Sequence, residues 1–286
     1  MPERSQYSFL GALRLFSLAV ALISVGLGIR LGWDLSDPQY TLAFLLLLGG
    51  ILSQAGMNLV NDAEDLQQDN SRGIDTDARK RIIWHQRLGW IAFGAAALIG
   101  CYLISIRGWP LAGILLLSAL LALNYNSGPL NFKHNGIAIF QVFLLMGLLM
   151  VEASYFVMSG EFSLRVLWIS LPVSLLISLL LLSNEIRDFE HDLAHATRTF
   201  SVRIGLPAAR AAYWILIAAA YGLTLVFVLN GWLRGNYLVT LLPSLAFLPL
   251  LYRHLYSDDR ILLTPLSGRF FLLFGLAYLL LVPVGP

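Results

Sequence analysis

Four carboxylates, Asp62, Glu64, Asp65 and Asp69, fall within the nine residues NDAEDLQQD, directly behind an apolar run that ends ILSQAGMNLV. Like charges this close repel one another and resist leaving water, so a cation or a cationic partner is the usual reason to keep them together. Gln54, Asn58, Asn61, Asp65 and Asp69 follow at spacings of four, three, four and four. On a continuous helix they form one polar stripe that reaches back into the apolar run. A second set lies in NEIRDFEHD, where Asn184, Asp188 and Asp192 are spaced i, i+4, i+8 and share a face. Two helices would thus present two carboxylate ladders to one cavity.

Such ladders suit Mg²⁺, a hard ion that takes oxygen ligands and is commonly shared between one or two carboxylates and phosphate oxygens. A diphosphate bridged this way has its charge neutralised as it leaves, which is the condition for heterolysis of an allylic C–O bond. Arg72, Lys80, Arg187, Arg198 and Arg203 lie within or just after the acidic stretches, and guanidinium groups bind phosphate oxygens bidentately. Arg198 and Arg203 are the preferred pair. Tyr125, in NYNSGPLNF, would offer a π face to a carbocation. Isolated carboxylates at helix ends are commonly just solvated, but two ladders that each open with Asn and repeat every four residues are a different pattern. His191 and His195 are four apart yet lack an HExxH setting, so zinc is not expected. The stretch DNSRGIDTD has its Gly at the fifth position, and no Glu follows at the twelfth, so it is no EF-hand. Glu152, inside an apolar span toward its outer end, is either functional, or it snorkels or faces a polar pocket.

The elements that must carry these residues are membrane helices. The chain has 286 residues, of which 58% are hydrophobic and 13% charged, half the charged share of an ordinary soluble domain, and its mean hydropathy is +0.73. Nine apolar spans of about the length that crosses a bilayer are expected: 9–31, 40–61, 88–106, 109–127, 136–158, 164–184, 208–230, 236–252 and 266–284. The fold class is therefore all-α, polytopic, with helices around a central cavity. With the N-terminus inside, only Arg30, Arg107, Arg165 and Arg234 of the 19 basic residues fall outside, as cytoplasmic enrichment in Lys and Arg requires. That places the C-terminus outside and both acidic segments, 62–87 and 185–207, on the cytoplasmic face. No nucleic-acid partner is implied by a net charge of +2 that follows topology. Cys101 allows no internal disulfide and is expected to be a small buried side chain. The first span has no small-residue cleavage site and is taken as a helix, not a signal peptide.

The two signatures, NDxxDxxxD in NDAEDLQQD and DxxxD in RDFEHD, resemble those of the UbiA superfamily of intramembrane prenyltransferases over nearly the whole chain, 1–286, as one domain. NLVNDAEDLQQDNSRGID, YNSGP and NEIRDFEHD with RTFSVRIG are most similar to the 1,4-dihydroxy-2-naphthoate polyprenyltransferase branch of menaquinone biosynthesis. The resemblance implies transfer of a polyprenyl chain from its diphosphate to an aromatic, naphthoate-like acceptor in a bilayer, with Mg²⁺ and an active site facing the cytoplasm of a prokaryotic inner membrane. It implies that Asn61, Asp65, Asp69, Asp188 and Asp192 bind Mg²⁺ and diphosphate, with Asp62 part of the motif; combined with the residue reading above, Asp62, Asp65, Asp188 and Asp192 are expected to be catalytic, and Asn58, Asn61, Arg72, Lys80, Tyr125, Asn184, Arg187, Arg198 and Arg203 to bind substrate. Two features depart from the family pattern. Ala196-Thr197 stands where relatives have Gly-Lys, and Ile137 follows Gly136 where many have an acid. Two alternatives share the acidic ladders: a terpene cyclase of the same superfamily, and an ion-coupled transporter.

Overall fold

The computed structural model of the chain describes residues 9–68, 76–125 and 129–285. A short turn, Phe9–Leu13, leads into α1 (Leu15–Leu31), and Arg14 between them adopts a left-handed conformation that kinks the entry. There follow α2 (Tyr40–Gln68), α3 (Thr76–Arg107), α4 (Trp109–Leu123), α5 (Ala138–Ser159), α6 (Leu164–Arg187), α7 (Leu206–Leu229), α8 (Gly235–Leu255) and α9 (Leu263–Leu281). Two short helices, Phe189–Ala194 and Phe200–Ile204, connect α6 to α7.

Among the described residues, eight of these nine helices are long and apolar enough to cross a membrane. The remaining one, α4, has 15 residues and so spans about 22 Å, short of a full hydrocarbon core. The all-α, multi-pass expectation holds; the protein is an integral membrane protein. Helix boundaries differ most in the first acidic segment. There α2 runs seven residues past the expected end of its span, to Gln68, and α3 starts at Thr76 instead of residue 88. At 29 and 32 residues these two helices exceed the bilayer core by on the order of 15 Å. The first acidic ladder therefore rides a helical extension above the membrane.

Small residues set how closely the helices approach. A Cβ on Gly56 of α2 would lie 3.0 Å from the carbonyl oxygen of Gly89 on α3, and a Cβ on Gly89 only 2.9 Å from Val60. Such backbone proximity is how helices associate where lipid is as apolar as the side chains. Helix α6 is the axle of the bundle: Leu176, Leu179 and Leu182 are fully enclosed, against α9 residues Phe270, Phe274 and Tyr278. Its serines bond within the protein, Ser174 Oγ to the Ser170 carbonyl at 2.8 Å and Ser178 Oγ to the Ile139 carbonyl at 3.1 Å. Polar cross-ties join other helices, notably Tyr213 to Ser267 at 2.7 Å and the Tyr278 hydroxyl donating to the Ile169 carbonyl at 2.7 Å. By contrast α3 lies at the lipid-facing edge, and Cys101 on it is exposed, not buried as expected. An apolar helix at the rim of a bundle satisfies hydrophobicity through lipid, so composition alone cannot tell its faces apart.

Two helices are irregular for visible reasons. In α5, Phe143–Leu149 is π-helical and turns Leu145 and Met146 toward a cavity. Pro243 and Pro249 open separate turns in α8, since proline has no N–H for the preceding turn.

Candidate active site

The connections α1-entry, α4–α5, α6–α7 and α8–α9 gather at one end of the bundle. The Gly136 turn packs on the residues after the second acidic motif, and Arg260 from the α8–α9 connection reaches Glu190. Between α1, α2, α4, α5 and α6 lies a cavity of about 110 Å³ that opens at this end. Asn61 of the first motif and Asn184 of the second both line it, as do Asn58, Tyr125, Gln54, Gln141, Ser17 and Arg14. Its remaining walls are apolar, with Met57, Leu145, Met146, Ile177, Leu180 and Leu181.

Along the second motif the expected helical ladder is broken at one residue. Helix α6 ends at Arg187, and Asp188 caps it before the helix resumes as Phe189–Ala194. Backbone bonds from Asp188 N to Asn184 O (3.0 Å) and from Asp192 N to Asp188 O (2.9 Å) preserve the i+4 repeat across the break. Arg187 grips Asp188 with Nε on Oδ1 at 2.7 Å and Nη2 on Oδ2 at 2.5 Å. Asp192 is mostly enclosed, its Oδ2 accepting from the Thr199 hydroxyl at 3.3 Å. Burial first, then the Asp188 carboxylate, pushes the Asp192 carboxyl above the usual aspartate range, against the pull of Lys133, Thr199 and His191. On the outer side Arg260 donates to Glu190 and holds that carboxyl below its ordinary value.

Arg198 precedes the helix Phe200–Ile204 and Arg203 lies in its last turn, and both are exposed. That arm is held from two sides. From α6, the buried Glu185 carboxylate accepts the Ser201 N–H at 2.9 Å, and Ser201 Oγ donates to the Glu185 carbonyl at 3.3 Å. From the α4–α5 turn, Gly136, at φ +66°, lies against the arm, and a Cβ there would come within 2.5 Å of the Arg203 side chain and 2.9 Å of the Arg198 carbonyl. Arg203 Nε itself donates to the Arg198 carbonyl at 3.0 Å.

The first motif is only partly described. The backbone of α2 carries Asn61, Asp62 and Asp65, but the side chains of Asp62, Glu64 and Asp65 lie outside the described residues, as do Asp69 and Arg72 entirely. Asn58 is buried and commits its amide to α1, Nδ2 donating to the Leu13 carbonyl at 2.8 Å and to Ser17 Oγ at 2.6 Å. It braces the cavity wall. Lys80 is exposed on α3 and 3.7 Å from Asp77. The stacked rings of His191 and His195 are exposed, with His195 Nδ1 2.9 Å from the His191 carbonyl. Glu152 neither snorkels nor enters this cavity. It is buried at the far end, where its Oε1 accepts the Ser163 N–H at 2.7 Å and so caps the start of α6.

Among the described residues no three His, Cys, Asp or Glu side chains converge into a metal site. The carboxylates that are described nevertheless fit a hard cation: Asp188 and Asp192 repel each other one turn apart, the second of them mostly buried, and both offer oxygen, with the His191 ring nitrogen 3.9 Å from Asp192 beside them. Gln141, Glu185 and the Thr199–Ser201 turn were not legible as site residues in the sequence. Gln141 lies in no motif, and although Glu185 and Thr199–Ser201 fall within NEIRDFEHD and RTFSVRIG, no spacing singles them out; only packing brings the three together here.

Residues 15–275 match the UbiA prenyltransferase family. The 1,4-dihydroxy-2-naphthoate octaprenyltransferase of Bacillus subtilis is 26% identical over 230 residues, 77% of this chain and 71% of that protein. The enzyme of the same name from Haemophilus influenzae is 28% identical over 251 residues, 80% of each. A UbiA homologue from Archaeoglobus fulgidus bound to GPP and Mg²⁺ shares the fold with a TM-score of 0.64 at 16% identity, covering 95% of this chain and 99% of that one.

Proposed function

Since the chain belongs to the UbiA prenyltransferase family, we propose that it moves a polyprenyl group from its diphosphate to an aromatic quinone precursor, 1,4-dihydroxy-2-naphthoate, at the cytoplasmic face of a prokaryotic inner membrane. The observation that carries this reading is the single cavity lined by Asn61 and Asn184, which lead the two acidic motifs, and continuing into an apolar interior. An ionic head and a greasy tail match those two parts. The names of the two naphthoate octaprenyltransferases, at modest identity, favour the acceptor.

In this reading Asn61, Asp65, Asp69, Asp188 and Asp192 hold Mg²⁺, which when bound neutralises charge on the departing diphosphate. Arg198 and Arg203, with Arg72, Lys80 and Arg187, bind phosphate oxygens, and Asp62 and Asn184 complete the polar mouth. Arg187, which grips Asp188 through Nε and Nη2, orients that carboxylate and lies close enough to the motif to bind a phosphate oxygen. The allylic C–O bond breaks with its electron pair leaving on diphosphate. The ring carbon bearing the carboxylate forms the new C–C bond, and the carboxyl group departs as CO₂, returning its electron pair to the ring. Apolar walls exclude water that would otherwise quench the cation, and Tyr125 presents its ring there.

The test is to incubate the purified protein with Mg²⁺ and labelled prenyl diphosphates, with and without the naphthoate, and to identify products by mass. A prenylated, decarboxylated naphthoquinol formed only with acceptor is the expected result. A cyclised or hydrolysed prenyl product independent of acceptor would reassign the site to a terpene cyclase.

A further inference from the structure

Among the described residues, two buried amide oxygens in the cavity have no donor. Gln54 on α2 is 5% exposed and Gln141 on α5 is 6% exposed, and both line the cavity. Gln141 Nε2 donates to the Leu121 carbonyl of α4 at 2.6 Å, and Gln54 Nε2 donates to Asn58 Oδ1 at 3.3 Å and approaches Ser17 Oγ at 3.5 Å. With the nitrogens engaged, each Oε1 is left without a hydrogen-bond partner among the described residues. Buried acceptors of this kind are costly unless something donates to them, and so they report on what the space is built to hold.

The chemistry of the three possible occupants decides which one that is. A prenyl chain has no hydrogen-bond donor. An ionised diphosphate offers only acceptors and would be repelled by a carbonyl oxygen. A hydroxyl-bearing aromatic ring has both the donors for the two amides and the flat apolar faces for Val142, Leu145, Ile177 and Leu180 beside them. Position agrees: Gln54 precedes Asn61 by seven residues, about 10 Å deeper along α2, which places the ring below the polar mouth and within reach of a prenyl carbon leaving it.

Resting on the transferase reading above, we infer that Gln54 and Gln141 are specificity-determining residues whose side-chain carbonyls accept hydrogen bonds from the hydroxyl groups of the aromatic acceptor. They select a ring with two free hydroxyls over one with ethers, because an ether in either place leaves the amide oxygen unpaired.

The experiment compares wild type with Gln54→Met and Gln141→Met, measuring KM separately for acceptor and for prenyl diphosphate, alongside thermal midpoints. The acceptors are 1,4-dihydroxy-2-naphthoate and its two mono-O-methyl ethers. Each variant is expected to raise the acceptor KM roughly tenfold with the diphosphate KM unchanged, and wild type to lose a similar factor on each ether. In the variant facing the methylated oxygen the ether penalty disappears, a result that a merely structural role does not give. The wild-type ether series needs no variant and stands if either substitution prevents folding. Unchanged acceptor KM in both variants, KM values that rise together for both substrates, or equal use of ethers and diol by wild type each overturn the inference. If wild type prenylates no hydroxylated aromatic at all, the transferase reading itself fails and takes this inference with it.

Discussion

Asp192 shows what a single residue in the acidic end is poised for. Its carboxyl is raised by burial and then by Asp188, so the folded protein keeps that proton to higher pH than the unfolded chain does. Asp192's contribution to stability is therefore complete at acid pH and is lost as pH rises from the ordinary aspartate value through the raised one. A divalent cation bound by Asp188 and Asp192, as proposed above, would cancel that loss. Mg²⁺ should accordingly raise the melting temperature more at neutral than at mildly acidic pH, as followed by thermal unfolding in detergent. Equal shifts at both pH values would remove Asp192 from the metal site. Glu152 teaches the opposite lesson, because a carboxylate buried in a span proved to be the cap of α6 at the end away from the cavity.

Among the elements, the arm Phe200–Ile204 links the two kinds of chemistry. It carries Arg203, follows Arg198 by two residues, and is docked through Glu185 on α6, two residues before the Arg187–Asp188 pair. The Gly136 turn closes over its other side, and only a residue without a side chain fits there at positive φ. Glu185→Ala removes the acceptor for the Ser201 N–H and frees the arm, so the KM for prenyl diphosphate should rise roughly tenfold while the acceptor KM stays put. Glu185→Gln keeps an oxygen in place and should recover most of that loss. Identical kinetics for the two variants would show that the arm does not depend on this bond. Nothing in NEIRDFEHD separates Glu185 from the motif carboxylates by type. Its burial, and the turn of helix that faces it toward Ser201, make the difference.

At the scale of the molecule, the bundle is asymmetric: α6 is enclosed on nearly all sides while α3 is largely bare. Cys101 on α3 should react with a membrane-soluble thiol reagent and resist a charged, impermeant one when the protein is in vesicles, as quantified by mass shift. Protection from both would mean that another surface covers α3. The all-α class, the membrane location, the approximate spans and both acidic motifs with their i+4 spacing were legible in the sequence. These follow from local rules: hydropathy acts over about 20 residues, and the helical repeat decides which neighbours share a face. The extension of α2 to Gln68, the break at Asp188, the exposure of Cys101, and the meeting of Gln54 with Gln141 in one cavity were decided only by the tertiary structure. Each depends on which helices pack together and how closely, and that is fixed by contacts between residues far apart in the chain, such as Gly56 with Gly89 and Glu185 with Ser201.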